Sequence, residues 1–221
     1  MEISRDSLEY RGFFYVMKKN ITAEKLLYAK VGMRYWSCSR KSIPESLAYK
    51  KVICKYVDEL KIHSNKGTGL VLYGNYGSGK TGAGVIVLKA AIALGYSAMF
   101  LAARDIVDAK ISKTIFDSET QEKVIDRAHR VSFLLLDDLG DEAETKSDFA
   151  PALMEGLVRR RSDQRLVTII TTNLNRDSIS SRYGGGMVSI LEGCTIPLHV
   201  SGYNWRRNEF NEHKNDLERD L

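Results

Sequence analysis

Five short, strongly apolar segments are spread along the chain, and most of them are followed by a longer stretch with helical periodicity. Apolar runs of this length, bounded by glycine or polar residues, are typical of buried strands. The runs are centred near residues 70, 98, 134, 168 and 196. Strands that alternate with helices predict an α/β fold, in which helices cover both faces of a five-stranded parallel sheet.

Two helices are predicted before the first strand. In the first, Thr22 is the expected N-cap and Gly32 the expected stop. The second covers residues 46–63, and Ser42 and Glu45 have the spacing of a capping box at its start. Both helices precede the first strand, so they are expected to pack against the main fold.

The composition suits a globular domain with a short extension. Of 221 residues, 43% are hydrophobic, and no apolar run approaches the ~20 residues of a membrane span. We therefore expect no membrane partner. The N-terminus lacks the basic-then-apolar pattern of a signal peptide, which predicts a cytoplasmic protein.

Positive charge is concentrated near the N-terminus. Residues 1–66 carry 14 Lys/Arg and 7 Asp/Glu. Such an excess suits nucleic acid or an acidic protein partner, and an ordinary solvated surface is the alternative. We divide the chain into a basic, aromatic extension (1–36) that contacts a partner, a main domain (37–207) and a charged tail (208–221).

A glycine-rich loop lies between the first strand and the next helix and matches the pattern G-x-x-x-x-G-K-[ST]. Its backbone N–H groups and the helix N-terminus can hold phosphate. Lys80 can reach the β- and γ-phosphates, and the Thr81 hydroxyl can bind Mg²⁺. The loop therefore predicts a site for ATP and Mg²⁺, the alternative being a turn that binds nothing. Its residues are Gly74, Asn75, Tyr76, Gly77, Ser78, Gly79, Lys80 and Thr81.

Polar side chains stand at the ends of two further strands. The apolar run 133–136 ends in Asp137 and Asp138, and Asn173 follows the run near residue 168. We predict that Asp137 holds Mg²⁺ beside Thr81 and that Asp138 is the general base for the attacking water. Asn173 is expected to position that water. The alternatives are an acidic surface turn for the two carboxylates and a simple turn residue for Asn173.

These motifs, in this order, resemble the AAA+ ATPases of the DnaC/DnaI helicase-loader and IstB transposition-helper group. The motifs are GNYGSGKT, LLLDDLG and IITTNL, flanked by VGMRYWSCSRKSIPES upstream and by RYGGGMVSILEGC and SGYNWR downstream. The resemblance covers about residues 31–207. It implies a P-loop ATPase fold of the AAA+ type without a helical lid domain, and a role in placing a replicative helicase on DNA.

One position departs from the group's pattern. The group has Ser-Arg-Leu where this chain has Ser189, Ile190 and Leu191. In the group that arginine reaches the γ-phosphate of a neighbouring subunit, which Ile190 cannot do. Arg182 is a possible replacement. The resemblance therefore implies self-association through AAA+ interfaces, with weak ATP hydrolysis by the protein alone.

The resemblance also implies contact with single-stranded DNA. In loaders, helices between the second and third strands contact the DNA, and the corresponding stretch here is 104–130. Its candidates for phosphate contact and base stacking are Arg104, Lys110, Lys113 and Phe116. A solvated helix with an inward Phe116 is the alternative.

We therefore predict an ATP-dependent loader of a replicative DNA helicase. The alternatives are a transposition helper, which would recruit a transposase, and a nucleotide-gated scaffold that hydrolyses little ATP.

Overall fold

The computed structural model describes residues 21–111, 118–142 and 149–205, and no side chain is described between 109 and 122. Two short 3₁₀ turns cover Met33–Tyr35 and Arg40–Ser42. The helices are α1 (Ala23–Tyr28), α2 (Ala48–Asp58), α3 (Leu60–Lys66), α4 (Lys80–Ala93), α5 (Ala103–Ile111), α6 (Ser118–Arg130), α7 (Phe149–Asp163) and α8 (Arg176–Cys194). The strands are β1 (Gly69–Tyr73), β2 (Ala98–Ala102), β3 (Phe133–Leu139), β4 (Val167–Thr172) and β5 (Thr195–His199).

The strands form one parallel sheet in the order β2-β3-β4-β1-β5. This confirms the predicted α/β fold with five parallel strands. Strand β1 lies between β4 and β5, and β4 lies between β1 and β3. Because all strands are parallel, the loops that follow β1, β3 and β4 leave the sheet at the same edge.

Alternate side chains of the strands enter two separate cores. On one face Leu70, Leu135 and Ile169 pack with the core formed by α1 to α4. On the other face Val71 and Leu136 belong to the core formed by α5 to α8. The strands are apolar on both sides because helices cover both faces of the sheet.

Helix α1 begins as predicted and ends earlier than predicted. The Thr22 hydroxyl accepts a hydrogen bond from the Lys25 N–H, at 3.3 Å, as expected of an N-cap. The helix ends at Tyr28, and Lys30 adopts a positive φ of 58°. Gly32, the predicted stop, has a φ of −58° and begins a 3₁₀ turn. The predicted stop was wrong because the chain already turns at Lys30, through its positive φ. Val31, the next residue, then packs in the core before Gly32 is reached.

The predicted capping box at the second helix was also wrong. Ser42 caps the 3₁₀ turn together with Ser39, whose N–H donates to the Ser42 hydroxyl at 2.9 Å. Glu45 instead accepts from the Lys50 ammonium at 2.7 Å. Helix α2 begins at Ala48 because the residue before it is extended. The predicted single helix is divided into α2 and α3.

One buried arginine joins three elements of the second core. The Arg161 side chain is fully buried and donates to the Ala128 and Val131 carbonyls at the end of α6, at 2.6 and 2.9 Å. It also donates to the Val167 carbonyl at 2.7 Å and to the Thr168 hydroxyl at 2.9 Å. Arg161 thereby satisfies helix-terminal carbonyls that have no partner within their own helix.

Candidate nucleotide-binding site

The phosphate loop connects β1 to α4, and its backbone needs glycine at several positions, of which Gly77 and Gly79 are the clearest. Gly77 and Gly79 have φ values of 76° and 97°, in the left-handed region that other residues rarely adopt. A β-carbon would also lie 2.7 Å from Asn204 Oδ1 at Gly77, and 2.5 Å from Trp205 Nε1 at Gly79. Helix α4 begins at Lys80 without a side-chain cap, and the N-terminus of a helix is a favourable place for an anion.

Lys80 is buried and joins this loop to the end of β4. Its ammonium donates to the Gly74 and Asn75 carbonyls, both at 2.9 Å, and to Asn173 Oδ1 at 2.7 Å. Two residues that are 93 positions apart in the sequence therefore meet at the predicted phosphate site. The contact places an amide and an ammonium side by side at the phosphate loop.

Strand β3 contains a bulge at its two acids. Leu136 pairs with Ile170, whereas Leu139 pairs with Thr172, so β3 has one residue more than β4 in this interval. Asp138 lies within the bulge and adopts a positive φ of 53°. A bulge changes the direction of side chains and is frequent beside functional sites. Here it allows two consecutive acids to approach the same site, although consecutive strand residues normally face opposite sides.

Asp137 is buried at the centre of this arrangement. The Thr171 hydroxyl donates to its Oδ1 at 2.6 Å, and the Thr81 side chain lies beside its carboxylate. Burial raises the pKa of Asp137 to about 6, although the bond from Thr171 acts in the opposite direction. A carboxylate beside a threonine hydroxyl supplies the oxygen ligands that Mg²⁺ prefers. The two side chains therefore fit the predicted magnesium site.

Asp138 lies beside the cavity at the phosphate loop. Its N–H donates to the Thr171 hydroxyl at 2.9 Å, so Thr171 contacts both acids. The position is compatible with a carboxylate that orients water next to a terminal phosphate. The structure thus brings Lys80, Thr81, Asp137, Asp138 and Asn173 into one region beside the phosphate loop.

The loop contains a second feature that suits an anion. Ser78 is buried, and its Oγ has no hydrogen-bond partner in the described part of the chain. A buried hydroxyl without a partner is costly in a folded protein. Phosphate oxygens would accept from this hydroxyl and from the N–H groups of the first turn of α4. The residues therefore fit a nucleotide phosphate chain.

The wall of the cavity opposite the loop comes from the N-terminal segment and from the chain after β5. Burial raises the pKa of Tyr35, whose side chain lies beside Thr81. The sequence predicted no nucleotide contact for the residues of this wall. Its only signal was the pair of flanking motifs, upstream and downstream of the phosphate loop, that lie in these two segments. The apolar and aromatic residues of this wall are Tyr35, Cys38, Ile43, Tyr49 and Trp205.

The remaining predicted residues lie outside this cavity or outside the described chain. Arg182 is absent from the cavity wall and donates to the Glu142 carbonyl at 2.9 Å. Ile190 is partly buried and packs against the second core. Arg104 is exposed in the first turn of α5. The side chains of Lys110, Lys113 and Phe116 lie outside the described residues.

A glycine-rich loop between β1 and α4 of a five-stranded parallel sheet is the arrangement typical of P-loop folds. Within the described ranges, no helix has both the length and the apolar character needed to cross a bilayer.

Comparison with known proteins agrees with this class. No protein-family model matches the chain. The replicative helicase loader DnaI of Bacillus subtilis (strain 168) is 27% identical over 120 residues, which are 54% of this chain and 38% of that loader. The crystal structure of the DnaC helicase loader is 25% identical with a TM-score of 0.65, and the match covers 77% of this chain and 100% of that one.

AMPPCP-bound DnaA from Aquifex aeolicus shares the fold at 16% identity, with a TM-score of 0.59 over 83% of this chain and 56% of DnaA. The match to DnaI spans well under half of that relative's length. In sequence and in fold, the chain resembles the DnaC/DnaI helicase-loader group of AAA+ ATPases. The resemblance indicated by the sequence motifs is confirmed.

Proposed function

We propose that this protein binds ATP and Mg²⁺ and acts as an ATP-dependent loader of a replicative DNA helicase. The observation that carries the proposal is the contact of Lys80 with Asn173, beside the Asp137–Thr81 pair, in a fold similar to that of DnaC. The similarity to DnaI supports the helicase as partner.

ATP would bind along the phosphate loop. Lys80 would contact the β- and γ-phosphates, and the N–H groups of the loop and of α4 would contact the remaining phosphate oxygens. Mg²⁺, held by Thr81 and Asp137, would supply positive charge to the phosphates. Asn173 would orient the attacking water, and Asp138 would take its proton.

We further propose that hydrolysis by the protein alone is slow. An arginine supplied to the γ-phosphate accelerates related P-loop enzymes by ~10³–10⁵-fold. Ile190 carries no charge, and Arg182 is held by Glu142 of the same chain. The same observations favour a second candidate, a nucleotide-gated scaffold in which ATP binding controls assembly and little ATP is hydrolysed.

The partner contacts are proposals of the same kind. We assign helicase contact to residues 1–36, self-association to the AAA+ interfaces, and single-stranded DNA binding to the region of Arg104, Lys110, Lys113 and Phe116. The exposure of Arg104 is compatible with phosphate contact.

A pull-down of the replicative helicase from the same source, with and without ATP·Mg²⁺, tests the loader role. We expect ATP-dependent capture by the parent and loss of capture with Lys80→Ala. Removing one charged donor from the phosphates costs about 1.5–3 kcal/mol, so calorimetry should show roughly 10- to 100-fold weaker ATP binding. Lys51→Ala is the matched control, because Lys51 is exposed on α2.

Capture of the helicase to the same extent with and without ATP, and by both the parent and Lys80→Ala, would contradict the loader proposal. Unchanged ATP affinity in Lys80→Ala would contradict the nucleotide site itself. Deletion of residues 1–20 tests the assigned contact surface, and it spares α1, whose Leu26 belongs to the first core. We expect this truncated protein to bind ATP and to lose the helicase.

A further inference from the structure

A buried glutamate after β3 contacts both its own loop and helix α8. The Glu142 side chain is 2% exposed, and its Oε2 accepts from the Gly140 N–H at 2.8 Å. Its Oε1 accepts from the Tyr183 hydroxyl on α8. A buried carboxylate with several donors is held firmly, because releasing it would leave a charge without partners.

Helix α8 contributes a second contact to the same residue. The Arg182 guanidinium donates from Nη2 to the Glu142 carbonyl, and its Nε lies 3.6 Å from Glu142 Oε1. Burial, followed by the bond to Glu142, raises the pKa of Tyr183, which therefore remains a protonated donor. Both donors immediately precede Gly184, where α8 is interrupted at a φ of 82°. Glu142 thus holds the segment of α8 just before its kink.

The loop that carries Glu142 also contacts the phosphate loop. We name residues 138–142 the acid loop. The Tyr76 hydroxyl of the phosphate loop donates to Asp141 Oδ1 at 3.2 Å. Strand β4 holds the other end of the acid loop, since the Thr172 hydroxyl donates to the Leu139 carbonyl at 2.6 Å. A continuous series of contacts therefore runs from the phosphate loop through the acid loop to α8.

We propose that Glu142 is a positioning residue that couples the nucleotide site to helix α8. The inference rests on the proposed nucleotide binding. A nucleotide that moves Tyr76 or Asp138 shifts the acid loop, and Glu142 carries this shift to Arg182 and Tyr183 before the kink. Arg182 is accordingly part of the coupling within its own subunit. The C-terminal part of α8, where Ile190 lies, is the segment that this coupling would reposition.

Hydrogen exchange of residues 176–194, measured by mass spectrometry with and without AMPPCP·Mg²⁺, tests the coupling. Coupling between sites typically changes equilibria by about fivefold or more, so we expect exchange before the kink to slow by at least ~5-fold in the parent. Glu142→Ala should abolish this response, while calorimetry shows AMPPCP affinity within about threefold of the parent.

Three further variants separate coupling from loss of structure. Glu142→Gln keeps one of the two acceptor oxygens, replaces the other by an amide NH2 donor and lacks the charge that faces Arg182, so it should restore only part of the response. Tyr183→Phe removes only one hydroxyl and should reduce the response. This variant provides the test in case Glu142→Ala does not fold. Glu155→Ala is the matched control, since Glu155 lies beside Gly186 of α8 but bonds to Arg159 of its own helix. It should retain the full response.

Bound AMPPCP with no change in α8 exchange would overturn the coupling and leave the proposed function intact. A full response in Glu142→Ala would overturn it as well. ATP turnover that rises with protein concentration in Glu142→Ala would instead make Arg182 a finger that Glu142 restrains. Failure of the parent to bind AMPPCP would contradict the proposed function.

Discussion

Replacement of Asp137 by asparagine should stabilise the protein in the absence of nucleotide. Asp137 is only 6% exposed, and burial of its charge raises its pKa from 3.8 to about 6. Between these two values the folded protein keeps a proton that the unfolded chain has lost. The free energy of unfolding therefore falls as pH rises through this window, and the full cost is present above about pH 6.

The size of this cost follows from the shift. One pKa unit corresponds to 1.36 kcal/mol, so a rise of about two units amounts to about 3 kcal/mol. An asparagine side chain at this position would carry no charge, and its amide oxygen could still accept from Thr171. We therefore expect Asp137→Asn to raise the free energy of unfolding by up to about 3 kcal/mol at pH 7.5, and by close to nothing at pH 4.

Urea denaturation without nucleotide or Mg²⁺, at pH 4, 6 and 7.5, measures this difference. Asp163→Asn is the control, because Asp163 is exposed and its replacement should change stability by less than about 0.5 kcal/mol. A variant that is no more stable than the parent at pH 7.5 would refute the reasoning. In that case the hydrogen bonds to Asp137 would outweigh the burial of its charge.

Three further predictions concern other parts of the molecule. Arg161→Leu should lower the free energy of unfolding by about 3 kcal/mol or more, because it leaves buried carbonyls without donors. The control Arg160→Leu, at the neighbouring position, should change it by less than about 0.5 kcal/mol. Equal effects of the two variants in urea denaturation would contradict the role of Arg161. Asp138→Asn should bind ATP·Mg²⁺ like the parent and hydrolyse it at least about 10²-fold more slowly in a phosphate-release assay, and parental turnover would exclude it as the base. Trp36→Phe leaves Trp205 as the single tryptophan of the sequence, beside the phosphate loop, so ATP·Mg²⁺ should change its fluorescence, and an unchanged spectrum with bound ATP would place the nucleotide elsewhere.

Local patterns were sufficient to predict the sheet and the phosphate loop. An apolar run of strand length, such as 133–136, is buried whichever neighbours it acquires, so the five strands could be found from the sequence. The loop from Gly74 to Thr81 is equally local, because its glycines and its lysine lie within eight consecutive residues and match one sequence pattern.

The direction of individual side chains was decided by tertiary structure. Arg159, Arg160 and Arg161 are consecutive and chemically identical, yet only Arg161 is fully buried, since it alone meets the end of α6. The bulge that turns Asp137 and Asp138 toward one site depends on pairing with β4 and leaves no local signal.

The wall of the nucleotide cavity and the role of Glu142 also depended on the tertiary structure. Tyr35 and Trp205 meet at the phosphate loop although 170 positions separate them, and Glu142 bonds to Tyr183 from 41 positions away. Periodicity reports how a residue relates to its near neighbours along the chain. Contacts between distant segments arise only when helices pack on the sheet, and these contacts determine which polar groups are buried and what they bind.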